Sequence, residues 1–191
     1  QTPFMTRRDL AKTLNIAESR IRVIKPHLGS GFGGKHEMLS GDFCASLLAR
    51  KAGKPVRIVY TREEESMCTR PRHPFKIKLR TGIRKDGVVT AKECKCIVNN
   101  GAYCSHGPAI MAAGGAMGLV GVFKYPACRF EGRLVYTNTS AGGAYRGFGS
   151  LQVHFADDVH MDNIAKQLGI DPVELRLKNA VHSGDLLANM S

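Results

Sequence analysis

The residues best suited to chemistry lie in a glycine-rich loop, GSGFGGK, at positions 29–35. The loop follows an apolar run and precedes a segment with helical spacing. Backbone N–H groups at such a place can hold an oxyanion or a polarised oxo group, and glycines let that backbone approach a ligand closely. Phe32 is the one aromatic side chain that the loop displays. A tight turn without any ligand is the alternative interpretation.

Two phosphate-binding motifs also match part of this loop. A P-loop, G-x-x-x-x-G-K, needs Ser or Thr after its lysine because that hydroxyl holds Mg²⁺, and His36 stands there instead. A dinucleotide fingerprint needs a second strand about 20 residues further on that ends in an acidic residue. The predicted strand Val56–Tyr60 is followed by Thr61 and Arg62. Both motifs are incomplete, which leaves close approach to another ligand, or a bare turn.

A second glycine-rich turn, AGGAYRGFG, occupies residues 141–149 and again leads into a predicted helix. It displays one arginine and one phenylalanine. Arg146 can grip an anionic oxygen through two parallel N–H groups. Phe32 and Phe148, one from each turn, could form two walls of a flat slot. The two turns are therefore the candidate ligand sites.

The hydrophobic spacing along the chain predicts an α+β protein. Helices are expected at residues 6–14, 38–52 and 151–168, and after the start signal Asp171-Pro172. Strands are expected at residues 20–24, 56–60, 75–84, 88–98 and 129–136, with Asp86-Gly87 closing a hairpin. Residues 108–119 form either a helix or a loop. Mixed sheets with packed helices, in a single region over residues 1–191, are the predicted architecture.

The helix at residues 151–168 is the clearest of these elements. Apolar residues recur in it at helical spacing and predict a broad buried stripe, formed by Leu151, Phe155, Val159, Ile164 and Leu168. The acidic pair at residues 157–158 is expected on the surface of this helix. The acidic residues 63–65 are expected at the start of another helix.

Composition narrows the possible functions. The 191-residue chain carries a net charge of +12 and six cysteines. Its basic residues alternate along predicted strands, as at residues 75–80, so a solvated strand face is favoured over a nucleic-acid site, and anionic ligands or partners are expected. The sequence has no C-x-x-C pair that would indicate a zinc site, so reduced thiols are expected. Cys94 and Cys96 are expected on the same face of one strand. No apolar run reaches the roughly 18 residues of a membrane span.

The paired motifs resemble a known family. G-x-G-F-G-G-K before a helix, followed later by A-[FY]-R-G-F-G, is similar to the molybdenum-binding subunit of the xanthine dehydrogenase and aldehyde oxidase family, which includes 4-hydroxybenzoyl-CoA reductase and nicotinate dehydrogenase. The resemblance also covers QTPF, GKPVRIVYTREEE, RPRHPFKIK and LGIDPVELRLKN. It implies an α+β fold that is part of a molybdopterin-binding domain.

The resemblance implies roles for individual residues. Gln1 looks like the glutamine that hydrogen-bonds an oxo ligand of molybdenum. Phe32 and Gly33 look like loop residues whose backbone meets the ligands of the metal. Phe148 resembles the aromatic residue that stacks on a planar substrate. The segment expected to contact the pterin and the metal is Ala144, Tyr145 and Arg146; no residue of the chain is expected to bind the metal directly.

Two positions depart from the purine-oxidising members of the family. His36 stands where they place a glutamate that contacts the substrate ring, and Gly114 stands where they place a substrate-binding arginine. The expected substrate is therefore another planar N-heteroaromatic compound, an aldehyde or an aryl thioester. His36 is a candidate substrate contact, with a surface or helix-capping histidine as the alternative.

The resemblance also implies what this chain lacks. The catalytic general base, a glutamate, is expected outside it, so the chain is interpreted as a fragment or a split subunit that is inactive in isolation. The implied cofactors are molybdenum–molybdopterin here, with 2Fe-2S clusters and FAD on partner chains or domains. The implied partners are an iron–sulfur subunit, an FAD subunit and the remaining part of the molybdenum subunit. A cytoplasmic location is expected.

Two alternatives stay open beside hydroxylation of the substrate with water as the oxygen source. One is reductive removal of a ring hydroxyl from an aryl-CoA by a member of the same family. The other is a non-catalytic binding or assembly module that has lost the cofactor. The joint presence of Gln1, Phe32, Arg146 and Phe148 argues against such a module.

Overall fold

A computed structural model of the chain describes residues 1–187. Its elements in chain order are α1 (Pro3–Leu14), α2 (Ser40–Ala52), α3 (Arg62–Cys68), β1 (Phe75–Ile83), β2 (Val89–Gly101), α4 (Gly107–Ala116), β3 (Cys128–Tyr136), α5 (Ser150–Leu168) and α6 (Pro172–Asn179). A single 3₁₀ turn lies at Glu18–Arg20. In residues 1–187 no helix combines the length and hydrophobicity that a membrane crossing requires.

The described residues form two compact units. The first contains Gln1–Arg72 and Gly143–Arg146, and the second contains His73–Gly142 and the described residues that follow Arg146. Helices together with one mixed sheet confirm the predicted α+β class. The prediction that residues 1–191 form a single cofactor-binding region stays a prediction.

The helices of the first unit begin and end at the residues that sequence rules favour. Pro3 opens α1, where its missing N–H has no helical partner to lose. Gly53 ends α2 with a left-handed φ of 61°. At α3 the Thr61 hydroxyl accepts the Glu64 N–H at 3.2 Å, and the Glu64 carboxylate accepts the Thr61 N–H at 2.8 Å. The helices predicted at residues 6–14 and 38–52, and the helix-start role of residues 63–65, are confirmed.

Two strands predicted in this unit are wrong. Residues 20–24 and 56–60 belong to no strand, although both runs are rich in Val and Ile. A strand exists only where a neighbouring strand forms hydrogen bonds with it. A run of β-branched residues favours an extended backbone but does not show that such a neighbour is present. In the described part of the chain neither segment has one.

The second unit is built on a three-stranded mixed sheet in the order β1-β2-β3. Strands β1 and β2 are antiparallel, and β3 runs parallel to β2. The predicted hairpin is confirmed: the Arg84 N–H donates to the Val88 carbonyl at 2.9 Å, and Gly87 takes a φ of 85°. The Arg84 guanidinium, followed by the Val88 N–H, holds the pKa of the Asp86 carboxyl down, at about 2.

Helices and loops cover the inward face of this sheet. The core residues of this unit are Val89, Cys94, Leu119, Val120, Phe123, Tyr125, Val153, Met161, Ile164, Ala165 and Leu175. Helix α6 starts as predicted, because the Asp171 carboxylate accepts the N–H groups of Val173 and Glu174 at 2.8 and 3.1 Å. Residues 108–119 turn out to be mainly helical, within α4 and the turn after it.

The predicted buried stripe of α5 is only partly right. Ile164 is buried and Leu168 packs on the core, but Leu151, Phe155 and Val159 are 48, 72 and 46% exposed. The buried face instead carries Val153, Asp157, Met161, Ile164 and Ala165. The apolar spacing allows two faces of this helix to be buried. The segment that packs against the helix selects one of them, and the spacing alone does not show which segment that is.

The expectation that Asp157 lies on the surface is therefore wrong. Its carboxylate is buried, binds the Lys92 ammonium from β2, and accepts the Tyr125 hydroxyl. Burial, reinforced by the Asp157 charge, raises the pKa of the Tyr125 phenol. A buried carboxylate is tolerated only with such partners, and they lie 65 and 32 residues away in the chain.

The cysteines follow the predicted pattern. Cys94 and Cys96 are both buried on the inward face of β2. Burial raises the pKa of the Cys94 thiol to about 12, which leaves it protonated and unreactive at neutral pH. Cys44, Cys68 and Cys104 are exposed, and all six cysteines are free thiols.

We expect the buried ion pair to behave cooperatively on substitution. Asp157→Leu or Lys92→Met alone should lower the free energy of unfolding by about 3–5 kcal/mol, because each leaves an unpaired buried charge. Lys92→Met combined with Asp157→Leu should cost less than the sum of the single losses. Urea unfolding of the four proteins measures this coupling. Strictly additive losses would contradict it.

Candidate functional site

The first glycine-rich loop closes on itself. The Lys35 ammonium donates to the Ser30 carbonyl at 3.2 Å, and the His36 N–H donates to the Gly33 carbonyl at 3.0 Å. The Phe32 N–H lies 3.4 Å from the Ser30 hydroxyl, which can accept it. These bonds turn the backbone sharply between residues 30 and 36.

Gln1 and Thr2 contact this loop. The Gln1 side-chain oxygen accepts the Gly33 N–H at 3.1 Å, and the Thr2 hydroxyl donates to the His36 carbonyl. A methyl group at Gly31 would overlap the Gln1 side chain, so glycine is required there. The side-chain nitrogen of Gln1 has no partner among residues 1–187, which leaves both of its N–H groups for a ligand.

The second glycine-rich turn contacts the first one within the same unit. A Cβ added at Gly33 would lie 2.7 Å from the carbonyl carbon and oxygen of Ala144, and 3.0 Å from the Tyr145 nitrogen. The Arg146 guanidinium lies 5.6 Å from the centre of the Phe32 ring, within reach of a cation–π contact. Residues far apart in the chain therefore converge on one place.

Arg72 holds the second turn in place, and sequence reasoning missed it. Its guanidinium donates to the Arg146 carbonyl at 2.7 Å and lies 4.6 Å from the centre of the Tyr145 ring. The Gly143 N–H donates to the Pro71 carbonyl at 3.0 Å beside it. Partial burial lowers the pKa of Arg72. The run RPRHPF gives no sign of this contact, since its partner lies 74 residues away.

Both phenylalanines of the glycine turns have a strained backbone. Phe32 has a φ of 51° and Phe148 a φ of 45°, each between two glycines. A bulky residue in the left-handed region costs roughly 1–2 kcal/mol. Such strain persists where the surroundings fix it, and it concentrates at functional sites.

Phe148 belongs to the second unit. Its ring packs edge-to-face against the His106 ring, with centroids 6.0 Å apart and an interplanar angle of 69°. Gly149, next to it, lies so close to the Ile110 carbonyl of α4 that a side chain would overlap it. His106, 42 residues away with no local signal of this contact in the sequence, fixes one edge of the Phe148 ring.

His36 is half-buried at the end of the first loop. Its backbone takes part in the turn through Gly33 and Thr2. The next residue, Glu37, forms an ion pair with Arg70 at 2.7 Å. The role of His36 as a substrate contact stays a prediction, as do the roles of the other predicted site residues. In the described residues, no group of three or more His, Cys, Asp or Glu side chains could hold a metal ion.

Two glycines of the first loop are not required by the fold. Of the 21 glycines, Gly29 and Gly34 are the two with neither a positive φ nor any atom within 4 Å of an added Cβ. Gly31 and Gly33, by contrast, are needed by their own neighbours. Open space beside Gly29 and Gly34 is the geometry expected where a ligand approaches the backbone.

Comparison with known proteins identifies the family. Residues 1–180 match the molybdopterin cofactor-binding domain model. The chain belongs to the molybdopterin cofactor-binding domain family. The residues present fit such a cofactor, since the loop combines backbone N–H groups, free Gln1 donors and open space at two glycines.

Several relatives share the cofactor-binding domain. The chain is 41% identical, over 97% of its length, to the putative xanthine dehydrogenase molybdenum-binding subunit XdhA of Escherichia coli K12, and it covers 24% of that protein. It is 36% identical over 98% of its length to the nicotinate dehydrogenase large molybdopterin subunit of Eubacterium barkeri, covering 44% of it. The chain thus spans about a quarter to under half of these relatives.

Two solved structures share the fold. The aldehyde oxidoreductase of Desulfovibrio gigas superposes with a TM-score of 0.87 at 30% identity, over 94% of this chain and 20% of that one. Quinoline 2-oxidoreductase of Pseudomonas putida 86 gives 0.85 at 30% identity, over 96% of this chain and 24% of that one. The prediction that the chain has the fold of part of a molybdopterin-binding domain is confirmed.

A matched pair of glycine substitutions separates ligand approach from packing. Gly33→Ala should lower the free energy of unfolding by about 1–3 kcal/mol, because its φ is 85° and its Cβ would meet Ala144. Gly34→Ala should change it by less than about 0.5 kcal/mol. A methyl group at residue 34 should cost about 1.4 kcal/mol of cofactor-binding free energy, so the affinity for the cofactor should fall tenfold. Molybdenum per chain and urea unfolding check both; full metal content in Gly34→Ala would contradict ligand approach there.

Arg72 offers a second test. Arg72→Gln should lower the free energy of unfolding by about 1–2 kcal/mol, through loss of the Arg146 carbonyl bond and the Tyr145 contact. Arg72→Lys keeps the charge but not the planar fork, so it should restore little of this loss. Thermal unfolding of the three proteins measures the effect. Full restoration by lysine would show that charge alone matters at this position.

Proposed function

We propose that this chain supplies one wall of the molybdenum–molybdopterin and substrate site of an oxidoreductase. The proposed reaction hydroxylates a planar N-heteroaromatic compound or an aldehyde, with water as the oxygen source. When bound, the cofactor supplies the two-electron redox chemistry and oxygen transfer. The observation that carries the proposal is the convergence of Gln1, Gly33 and Ala144 on one turn that displays unused N–H donors.

Gln1 is the proposed donor to an oxo group. Its carbonyl oxygen is anchored by the Gly33 N–H at 3.1 Å, which fixes which way the amide faces. Its two nitrogen-bound hydrogens then point away from that anchor and can donate to a negatively polarised oxygen. A side chain held in this way loses little additional freedom when a ligand binds.

The two turns supply the remaining contacts to the cofactor. Phe32, Gly33, Ala144 and Tyr145 present backbone groups close together in the first unit. The Arg146 side chain is exposed and rests beside the Phe32 ring, from where its guanidinium can bind an anionic oxygen of the pterin. Arg72 acts on this group as a positioning residue, since it holds the Arg146 carbonyl.

Phe148 is the proposed platform for a planar substrate. Its ring is held at one edge by His106, and an offset stacking contact contributes roughly 0.5–1.5 kcal/mol. His36 is a proposed further substrate contact. The names of the relatives support a planar N-heteroaromatic or aldehyde substrate, since they include xanthine and nicotinate dehydrogenases, quinoline 2-oxidoreductase and aldehyde oxidoreductase.

The proposal places the other parts of the reaction outside this chain. The general base is a glutamate beyond residues 1–191, and the remaining part of the molybdenum subunit completes the site. The proposed electron acceptors would be 2Fe-2S clusters and FAD on partner chains or domains, with an iron–sulfur subunit and an FAD subunit as the proposed partners. We place the complete enzyme in the cytoplasm. The chain alone is expected to be inactive.

The complete protein with its partner chains, purified from a host that makes the cofactor, tests this proposal. Phe148→Ala should leave molybdenum content unchanged and raise KM for quinoline about five- to tenfold, the equivalent of about 1–1.4 kcal/mol. KM for acetaldehyde should change less. Phe4→Ala, an exposed phenylalanine of α1, is the matched control.

Different outcomes contradict different parts of the proposal. Absence of molybdenum from the wild-type complex, beside a metal-loaded relative as positive control, would favour the non-catalytic module. Normal molybdenum with an unchanged KM in Phe148→Ala would contradict only the role of Phe148. Substrate oxidation by the 191-residue chain alone would contradict a general base outside it.

A further inference from the structure

The outward face of the three-stranded sheet carries an ordered array of basic side chains. The register of the strands sets these side chains in three rows across the sheet. The rows are Arg80-Glu93-Arg129, Lys78-Lys95-Glu131 and Lys76-Ile97-Arg133. Six cations and two carboxylates give this basic sheet face a charge of +4, a third of the net charge of +12 of the whole chain.

The cations stand above the carboxylates on the basic sheet face. The side chains of Arg80, Arg129 and Arg133 are 75, 71 and 75% exposed, whereas those of Glu93 and Glu131 are 23 and 35% exposed. The nearest ion-pair distances on the face run from 3.5 to 3.9 Å. An approaching partner therefore meets positive charge first.

The arrangement is not explained by the stability of the chain. Lys78 lies directly opposite Lys95 on the neighbouring strand, and like charges at such positions are destabilising. The described residues provide no carboxylate partner for Lys76 or Lys78. Exposed ion pairs of this kind contribute only about 0–1 kcal/mol each, so stability gives little reason to keep the whole array.

Two shallow hollows lie along these rows. One has a volume of about 460 Å³ and is lined in part by Arg80, Glu93 and Arg129. The other has a volume of about 370 Å³ and is lined in part by Lys76, Lys95 and Ile97. Ile97 is 45% exposed, and Val135 on the neighbouring strand is 37% exposed. Arginine is enriched at protein interfaces, whereas the lysines and glutamates of this face are typical of a polar rim, where charge complementarity guides a partner.

We propose that the basic sheet face is the docking surface for an acidic protein surface that lies outside these 191 residues and belongs to the same assembly. Its Asp and Glu side chains would meet the protruding cations, and its apolar residues would cover Ile97. A nucleic acid fits less well, because its phosphate backbone offers no apolar surface to cover the exposed Ile97 and Val135. The proposal goes beyond the cofactor site and does not depend on it.

Acetylation of lysines in the complete protein with its partner chains tests this proposal. At about 0.1 M NaCl we expect Lys76, Lys78 and Lys95 to react roughly tenfold more slowly than the exposed Lys51 and Lys54, because a face covered nine-tenths of the time reacts in the remaining tenth. At about 1 M NaCl, where charges are screened beyond about 3 Å, the five rates should converge. Mass spectrometry measures each lysine separately.

Three outcomes would overturn the proposal. Equal rates at low salt would mean that nothing covers the face in the assembled protein. Protection that persists at 1 M NaCl would indicate an apolar cover instead of an acidic one. Protection removed by nuclease treatment would identify the partner as a nucleic acid.

A pair of charge reversals provides the matched control. Lys76→Glu with Lys78→Glu should lower the NaCl concentration that exposes Lys95 to roughly half its original value. Lys51→Glu with Lys54→Glu changes the net charge of the chain equally and should leave that concentration unchanged. Equal shifts from both pairs would reduce the effect to net charge and overturn the proposal. Molybdenum content should be the same in both, which separates this test from that of the cofactor site.

Discussion

The close approach of the Gly33 backbone to the Ala144 carbonyl is the constraint on which the candidate site depends. A side chain at Gly33 would lie 2.7 Å from that carbonyl, so residue 33 has to be glycine. The left-handed backbone continues into Phe32, which carries its ring outward at a φ of 51°. The same glycine donates its N–H to Gln1. The backbone contact between Gly33 and Ala144 thus brings the Gln1 amide and the Phe32 ring close to the second turn.

This constraint is held by hydrogen bonds more than by a core. The buried apolar residues of the first unit are Ala11, Met38 and Ala144, whereas the second unit has a continuous core under its sheet. Bonds such as those from Arg72 to the Arg146 carbonyl and from Thr2 to the His36 carbonyl therefore have to fix the turns. A site on exposed turns stays open to a large ligand, and it depends on a few polar contacts for its geometry.

Local signals in the sequence predicted local structure well. Gly53, Asp171 and Asp86-Gly87 marked a helix end, a helix start and a hairpin, because each acts through neighbours within four residues. The glycine spacing of the two turns also predicts candidate sites, and the roles of their residues stay predictions. Contacts that join distant residues were not predicted. Arg72 and Asp157 each depend on a partner from another segment, and nothing in their own surroundings in the chain reports it.

Residues that the fold does not require give the strongest indications of function. Gly33 is explained by Ala144, so its presence says little about a ligand, whereas Gly34 has open space and no unusual φ. The same reasoning applies to charge. Lys92 is explained by Asp157. Lys76 and Lys78, on the exposed sheet face, have no carboxylate partner in the described part of the chain, and Lys78 lies opposite Lys95 at a cost in stability. Packing and ion pairs within the chain do not account for the open glycines or for the lysines without a carboxylate partner. Both are explained if they contact groups that lie outside the chain.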